Sequence, residues 1–198
     1  MAIKTFTTGE VLTASDTNTY LANSGLVLIT SGITVSSAGG TAATVANGTV
    51  TVGANNTSVT VSGAFSSTYD DYFVTLTGGV ASATIALNLT LGATATGYLS
   101  SILYSLYATG ATGGISGGTT FIQYAGTADA NRSHMAMRIS NPFNAKYTLF
   151  HGEFINVDAQ GTVGGILTNT TSYTAFTISA GVQNITGGKI SVYGYRKV

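Results

Sequence analysis

Two histidines, His134 and His151, are the residues best suited to acid–base chemistry or metal binding. Ser133 adjoins His134, but neighbouring residues of a strand point to opposite faces, so these two side chains cannot pair directly. His151 and Glu153 are two residues apart, which places them on one strand face at a spacing of about 7 Å. A catalytic or structural zinc needs at least one further protein ligand. We therefore predict no catalytic residue and no metal site, and we interpret His151 and Glu153 as a polar pair at a subunit contact.

Asp70 and Asp71 are the only adjacent carboxylates. A glycoside hydrolase uses two carboxylates that face each other across the sugar, roughly 5 to 9.5 Å apart, and neighbours in a turn do not supply that arrangement. Aspartates in turns instead accept hydrogen bonds from nearby backbone N–H groups. The Gly-rich stretch 113–118 lacks the Lys-Ser/Thr pair of a phosphate-binding loop. The sequence thus predicts a protein that is not an enzyme and has no cofactor.

Charged residues are scarce, at 7% of the chain, against roughly 25% in ordinary soluble domains. Seven basic and seven acidic residues give a formal net charge of zero, and the basic residues are scattered. A nucleic-acid partner would require a basic stripe, so we exclude one. No apolar run approaches the roughly 20 residues of a membrane-spanning helix, and no secretory signal is recognised. We expect a protein made in a cytoplasm, without membrane insertion, whose neutral surface suits a subunit of an assembly. A secreted β-protein with a neutral surface is the alternative.

From Leu26 onward the pattern is that of β-strands. Ile85, Leu87, Leu89 and Leu91 alternate with small or polar residues, which is typical of a strand with one buried face. Residues 49–53 and 58–62 alternate in the same way and are predicted to form a hairpin. Further strands are predicted at 72–77, 98–107, 119–125, 133–140, 147–157, 166–167, 173–180 and 189–196. Many short strands separated by Gly-rich turns predict an all-β domain over residues 48–198, either a β-sandwich or a jelly roll.

Residues 1–30 differ from the rest and are predicted to form a separate N-terminal arm with a short helix. Thr13 is suited to cap a helix over residues 14–23, with Asp16 three positions later, and Gly25 suits the left-handed position after a helix. A helix of about ten residues is marginal in water, so we expect it to be ordered by packing on another element, in the same subunit or in another one. Residues 31–47 are rich in Ser, Gly, Ala and Thr. They are interpreted as a linker or irregular extension, and an extra edge strand is the open alternative.

Three tyrosines, Tyr98, Tyr104 and Tyr107, lie just before the Gly-rich stretch 108–118. Tyrosine combines an apolar face with a hydroxyl, which suits contact surfaces and sugar stacking. The alternative is that these residues belong to the core, because β-sandwich cores commonly contain Tyr and Phe. The three tyrosines are therefore candidate contacts to a glycan or receptor, and the core interpretation stays open beside it.

Residues 6–21 read Phe-Thr-Thr-Gly-Glu-Val-Leu-Thr-Ala-Ser-Asp-Thr-Asn-Thr-Tyr-Leu. This segment resembles the N-terminus of tail-fibre and minor tail proteins of tailed bacteriophages. The resemblance implies that the segment docks the protein on the virion through Phe6, Gly9, Val11, Leu12, Thr13, Asp16, Asn18, Tyr20 and Leu21. Residues 65–76, 167–180 and 186–196 look like parts of the β-sandwich domains that end many phage fibres. That second likeness implies a jelly-roll-like antiparallel β-sandwich that is usually trimeric and carries no catalytic residues.

The resemblance implies a virion structural protein, a tail-associated fibre or knob that displays its β-domain for adhesion to the host surface. Its expected partners are further copies of itself in a homotrimer, other tail, portal-proximal or capsid proteins, and a host-surface glycan. A capsid decoration or head-fibre protein is the alternative. Fibres usually have a long shaft between anchor and tip, whereas this chain has at most the short stretch 31–47 at that place. A polysaccharide-degrading tailspike is the third reading, and it needs facing carboxylates that few acidic residues can supply.

Overall fold

The structure, a computed structural model, describes residues 7–11, 13–16 and 25–196. Within these ranges the chain forms one short helix, α1 (Ala14–Asp16), and fifteen strands. The strands are β1 (Leu26–Leu28), β2 (Thr34–Gly39), β3 (Thr44–Ala46), β4 (Thr49–Thr51), β5 (Asn56–Ser62), β6 (Tyr69–Ala81), β7 (Ile85–Leu91), β8 (Tyr98–Leu106), β9 (Thr112–Ser116), β10 (Ile122–Ala128), β11 (Ser133–Ser140), β12 (Thr148–Ile155), β13 (Ala159–Leu167), β14 (Phe176–Ser179) and β15 (Ile185–Arg196).

Eight of these strands form the body of the molecule, as two four-stranded antiparallel sheets. The first sheet has the order β4-β15-β6-β11 and the second sheet has the order β5-β14-β7-β10. Numbered along the chain, these orders are 1-8-3-6 and 2-7-4-5, which is the topology of a jelly roll. The β10–β11 pairing and a bridge between Ile185 and Asn56 join the sheets into a closed barrel. The predicted all-β, antiparallel sandwich-like fold is confirmed.

The alternation of side chains explains the core between the sheets. Leu87, Leu89 and Leu91 of β7 are fully buried, whereas Asn88 and Thr90 point outward and are half-buried. The same two-residue period buries apolar side chains of β5, β6, β11, β14 and β15 in one cluster. Because successive residues of a strand point to opposite faces, the alternation in these strands indicates which of their residues face the core.

Four further strands come from two insertions in the jelly roll. β8 and β9 are inserted between β7 and β10, and β12 and β13 are inserted between β11 and β14. They pair in the order β12-β13-β8-β9, and β12 also pairs with β11, so this accessory sheet extends the first sheet. The sequence predicted a loop at 108–118, but β9 forms there because β8 offers an unpaired edge.

Two predictions about residues 31–62 are wrong. β4 and β5 do not form a hairpin, because β15 lies between them and pairs with both. Residues 31–47 are not a linker, since β2 pairs with β5 and β3 pairs with β4. The extra-strand alternative is correct: Ile33 is buried and Val35 packs against the core, so this stretch contributes apolar side chains to the body.

The N-terminal arm is described only in part. Helix α1 begins directly after Thr13, where the sequence predicts a helix to start, and residues 17–23 of that predicted helix lie outside the described ranges. Gly25 has a φ of 81°, the left-handed conformation predicted for it. β1 follows at once and pairs with the last strand, Leu26 opposite Tyr195. The part of the chain that the structure describes contains no helix with the length and apolar character needed to cross a bilayer.

Candidate functional site

Tyr98 is a core residue and not a receptor contact, so that prediction is wrong. Its side chain is fully buried, and its ring packs near Phe150 with 6.3 Å between ring centroids. The backbone N–H of Leu91 donates a hydrogen bond of 2.7 Å to the hydroxyl. Burial raises the pKa of Tyr98 to about 12, and the hydrogen bond from Leu91 offsets part of that rise. The core alternative given for the tyrosines applies to this one.

Tyr104 and Tyr107 differ in burial: Tyr104 is partly buried and Tyr107 is exposed. The ring of Tyr104 packs against the buried cluster of Ile102, Phe154 and Ala159 on the inner side of the accessory sheet. It also covers Gly113, where an added Cβ would come within 2.7 Å of the Tyr104 ring. Tyr107 follows the last residue of β8 and is exposed, with 52% of its surface accessible. The structure does not bring the three tyrosines together into one contact surface.

Four of the nine predicted attachment residues lie in the described ranges: Gly9, Val11, Thr13 and Asp16. Gly9, with a φ of 87°, occupies a turn in which the Glu10 N–H donates to the Thr7 carbonyl at 3.0 Å. The Thr7 N–H in turn donates to the Glu10 carboxylate at 3.1 Å. Val11 follows this turn with 78% of its surface exposed. The predictions for Phe6, Leu12, Asn18, Tyr20 and Leu21 lie outside the described residues.

The residues near His134 have structural partners. The Ser133 hydroxyl accepts a hydrogen bond of 3.0 Å from the Gly79 N–H. Asp129 accepts from the Asn131 N–H at 2.8 Å, and its other oxygen lies 3.3 Å from the Arg132 guanidinium. These contacts order the β10–β11 turn. They engage the serine and the aspartate in roles other than a Ser–His–Asp arrangement.

The two adjacent aspartates also have separate contacts. Asp70 accepts a hydrogen bond of 2.8 Å from the side-chain amide of Asn144. Asp71 lies 3.3 Å from the Arg138 guanidinium, which itself stacks 5.4 Å from the centroid of the Tyr195 ring. Among the described residues, no group of three His, Asp or Glu side chains is placed to hold a metal ion.

An open groove of about 820 Å³ crosses the accessory sheet on the face that points away from the body. One wall of the groove is the row Glu153–Thr162–Leu103. Glu153 of β12 pairs with Thr162 of β13, which pairs with Leu103 of β8. The opposite wall is the row Ile155–Gln160–Ser105–Thr112, which continues onto β9. The backbone of the intervening row, Gly161, Tyr104 and Gly113, forms the floor.

Glycine at position 161 allows β13 and β8 to lie close together beneath the groove. An added Cβ at Gly161 would collide with the backbone carbonyl of Leu103 on the neighbouring strand. A larger residue would therefore push β13 and β8 apart. Because the side chains of the floor residues are absent or directed to the inner side, the groove presents backbone between two rows of outward side chains.

The body holds the groove in place through β10. Tyr124 has a φ of 55° at an irregularity in the β10–β7 register, and its ring meets Phe154 edge-on with 5.1 Å between centroids. This bulge turns the Tyr124 ring from the body towards the accessory sheet. The Ile155 carbonyl accepts hydrogen bonds from the Thr127 hydroxyl and, at 2.9 Å, from the Arg132 guanidinium. Two elements of the body thus fix the end of β12, where one wall of the groove begins.

A second feature of the outward face is an apolar row at the other end of the accessory sheet. Leu149 pairs with Ile166, and Ile166 pairs with Leu99. Leu149 and Leu99 are 47% and 54% exposed. We call these three residues the leucine row. His151 lies between it and the groove, exposed on the same face of β12 as Glu153, as the sequence predicted.

Sequence reasoning did not identify the groove. Gln160, Thr162, Ser105 and Thr112 lie at alternate positions of strands that come from two separate insertions. Nothing in the local pattern gives the register between β13 and β8, which are more than fifty residues apart. The polar alternation Gln160-Gly-Thr162 indicates an outward face but not its neighbours. The sequence matches no protein-family model, and neither the curated proteins nor the solved structures yield a match.

Proposed function

We propose that this chain is a structural protein of a bacteriophage virion, a short tail-associated fibre or knob. Residues 3–25 attach it, and the jelly-roll domain is displayed for adhesion to the host surface. The observation that carries the proposal is the Phe6–Leu21 segment, which resembles the docking segments of phage tail proteins. Its junction with the domain supports this role, because Gly25 leads directly into β1 and its carbonyl accepts a hydrogen bond from Arg196 at 3.3 Å.

The surface supports membership of an assembly. The leucine row exposes two leucines on a flat sheet face, and the chain as a whole has a formal net charge of zero. Contiguous exposed apolar residues on a nearly neutral surface favour association. A homotrimer that covers the leucine row of each subunit would remove this apolar surface from water. The site of action is then the virion, after synthesis in the host cytoplasm.

A specific observation also favours the second candidate, a capsid decoration or head-fibre protein. Strands begin at Leu26 and belong to one connected sheet system through Arg196, so the described chain has no extended shaft. A compact body next to its attachment arm suits a protein that clamps shell subunits. A degradative tailspike has less support, because the groove walls carry one carboxylate, Glu153, where a hydrolase uses two.

The proposal is tested by locating the chain on the particle. Antibodies raised against the purified domain, coupled to gold, are applied to intact virions and imaged by electron microscopy. Label at the tail supports the fibre or knob. Label over the capsid lattice overturns the tail assignment in favour of decoration, and unlabelled virions overturn the virion role.

The attachment arm is tested by complementation of a phage that lacks this gene. Deletion of residues 1–25 should leave a folded, soluble domain that is absent from purified particles. The matched control is full-length Thr34→Arg, a change at an exposed position of β2 that leaves the arm intact. Normal incorporation of the truncated protein would show that attachment does not depend on the arm.

A further inference from the structure

The accessory-sheet groove differs from the rest of the surface in shape and in chemistry. Its volume of about 820 Å³ falls within the 300–1,000 Å³ that is typical of ligand sites. It is open at the surface, so it suits a chain-like ligand that passes across the sheet. It is also fixed by the body, through the hydrogen bonds to the Ile155 carbonyl and the packing of Tyr124 on Phe154.

The groove walls supply a definite set of hydrogen-bonding groups. Glu153 offers a carboxylate, Gln160 a carboxamide, and Thr162, Ser105 and Thr112 offer hydroxyls. Planar carboxylate and amide groups can each engage two neighbouring hydroxyls of a ligand, while the hydroxyls both donate and accept. This set matches the vicinal hydroxyls of a sugar ring. Leu103, 67% exposed in the same wall, offers an apolar contact to the C–H face of such a ring.

The charge of the groove lining limits which ligands it can bind. The residues that line the groove include no Lys, Arg or His, and the one charged side chain among them is Glu153. The guanidinium at the end of the wall, that of Arg132, is paired with Asp129. The Glu153 carboxylate repels phosphate, sulfate and uronic acid groups. Acidic polysaccharides and nucleic acids are therefore poor occupants, whereas a neutral chain of hydroxyls carries no such penalty.

We propose that this groove is a binding site for a neutral oligosaccharide. Glu153, Gln160 and Thr162 would form hydrogen bonds with its hydroxyls, and Leu103 would contact its apolar face. This inference deepens the proposed adhesive function and rests on it for its biological setting. The groove spans β12 to β9, at one lateral edge of the extended sheet. β1, through which the attachment arm joins the domain, lies at the opposite edge. A protein held by its arm would thus present the groove away from the point of attachment.

The affinity of one groove is expected to be low. The aromatic ring nearest to it, that of Tyr104, lies on the inner side, so no ring lines the groove for sugar stacking. We expect a dissociation constant of about 1 mM for a single site. Several copies on one particle would raise the overall avidity by 10² or more, as linked sites do.

The test is a titration of the isotope-labelled full-length chain, followed by backbone amide NMR. The probes are maltohexaose, cellohexaose and mannohexaose, with a galacturonic acid oligomer and an extended polyserine peptide for comparison. A neutral sugar should shift the amides of residues 103–105, 112–114, 153–155 and 160–162. Absence of shifts with all three neutral probes overturns the proposal. Shifts with the acidic oligomer or the peptide alone overturn the assigned ligand class.

Variants locate the binding site. Thr162→Arg places a long side chain in the groove and should weaken sugar binding at least tenfold, whereas Thr34→Arg, on β2 of the body, should leave it unchanged. Glu153→Gln and Gln160→Ala each remove one polar group from an exposed position and should weaken binding severalfold with the fold intact. Sugar binding that survives all three groove variants would overturn the site. These measurements are independent of the virion label, so failure of the sugar site and failure of the virion role can be told apart.

Discussion

The jelly-roll body and the outer half of the accessory sheet bury apolar residues to very different extents. The body encloses fully buried side chains from both of its sheets, among them Leu89, Met137 and Phe176. The outer half of the accessory sheet covers a separate small cluster, Ile102, Phe154 and Ala159. A deep core resists local opening, whereas a shallow one opens at lower free energy. The groove therefore lies on the less stable of the two regions, and its shape depends on contacts with the more stable one.

The largest expected effect compares two leucines in these regions. Leu89→Ala removes a fully buried side chain from the body and should lower the free energy of unfolding by about 4 kcal/mol. Leu103→Ala changes an exposed leucine of the groove wall and should lower it by less than about 0.5 kcal/mol. Urea denaturation of both variants measures the difference. Equal losses would show that the outward face is packed against another surface in solution.

The second prediction separates local from global unfolding. Phe154→Ala removes the largest side chain of the small accessory cluster. It should lower the free energy of local unfolding there by about 3 kcal/mol. Hydrogen exchange should then accelerate in residues 102–106 and 159–163 while β6 and β15 keep their protection. Phe176→Ala, in the body core, is the control and should accelerate exchange in both regions. Uniform acceleration by Phe154→Ala would show that the two regions unfold as one unit.

The smallest effect concerns Tyr98, which lies where the accessory sheet meets the body. Its pKa is raised from 10.0 to about 12, so above pH 10 the unfolded chain loses the phenolic proton while the folded chain keeps it. The raised pKa therefore makes stability fall as the pH rises through this window, by about 1.4 kcal/mol per pH unit for this group.

Tyr98→Phe removes the titrating hydroxyl. The free energy of unfolding, measured by urea denaturation, should then change less with pH between pH 10 and 12. At neutral pH the variant should lose about 1–2 kcal/mol, because the Leu91 N–H is left without its buried acceptor. A variant with the same slope as the parent between pH 10 and 12 would contradict the assignment of the slope to Tyr98.

The body could be predicted from sequence to a much greater extent than the groove. The alternation around Leu87 and Leu89 identified both a strand and its buried face, and the predicted strand at 133–140 coincides with β11. Pairing between distant strands could not be predicted in the same way. The hairpin over residues 49–62 failed because β15, more than 120 residues later, inserts between β4 and β5.

The groove depends almost wholly on such distant pairing. Gln160 faces Ser105 because β13 lies beside β8, and no local pattern specifies that register. Tyr98 was predicted as a candidate contact because, with Tyr104 and Tyr107, it precedes the Gly-rich stretch 108–118. Its own burial follows from the body, because Tyr98 belongs to the main core cluster and its hydroxyl accepts a hydrogen bond from Leu91 of β7. The residues around Tyr98 do not encode these contacts.

The hydrogen bond between the Arg196 N–H and the Gly25 carbonyl has a mechanical consequence. It places both ends of the domain side by side at one sheet edge, so a pull on either end enters the molecule at the same place. A domain held by its arm would carry a pulling force through this one strand pair, β1 with β15, before any other part of its sheets bears the load. The edge formed by β9, at the other side of the extended sheet, lies furthest from that pair in strand order.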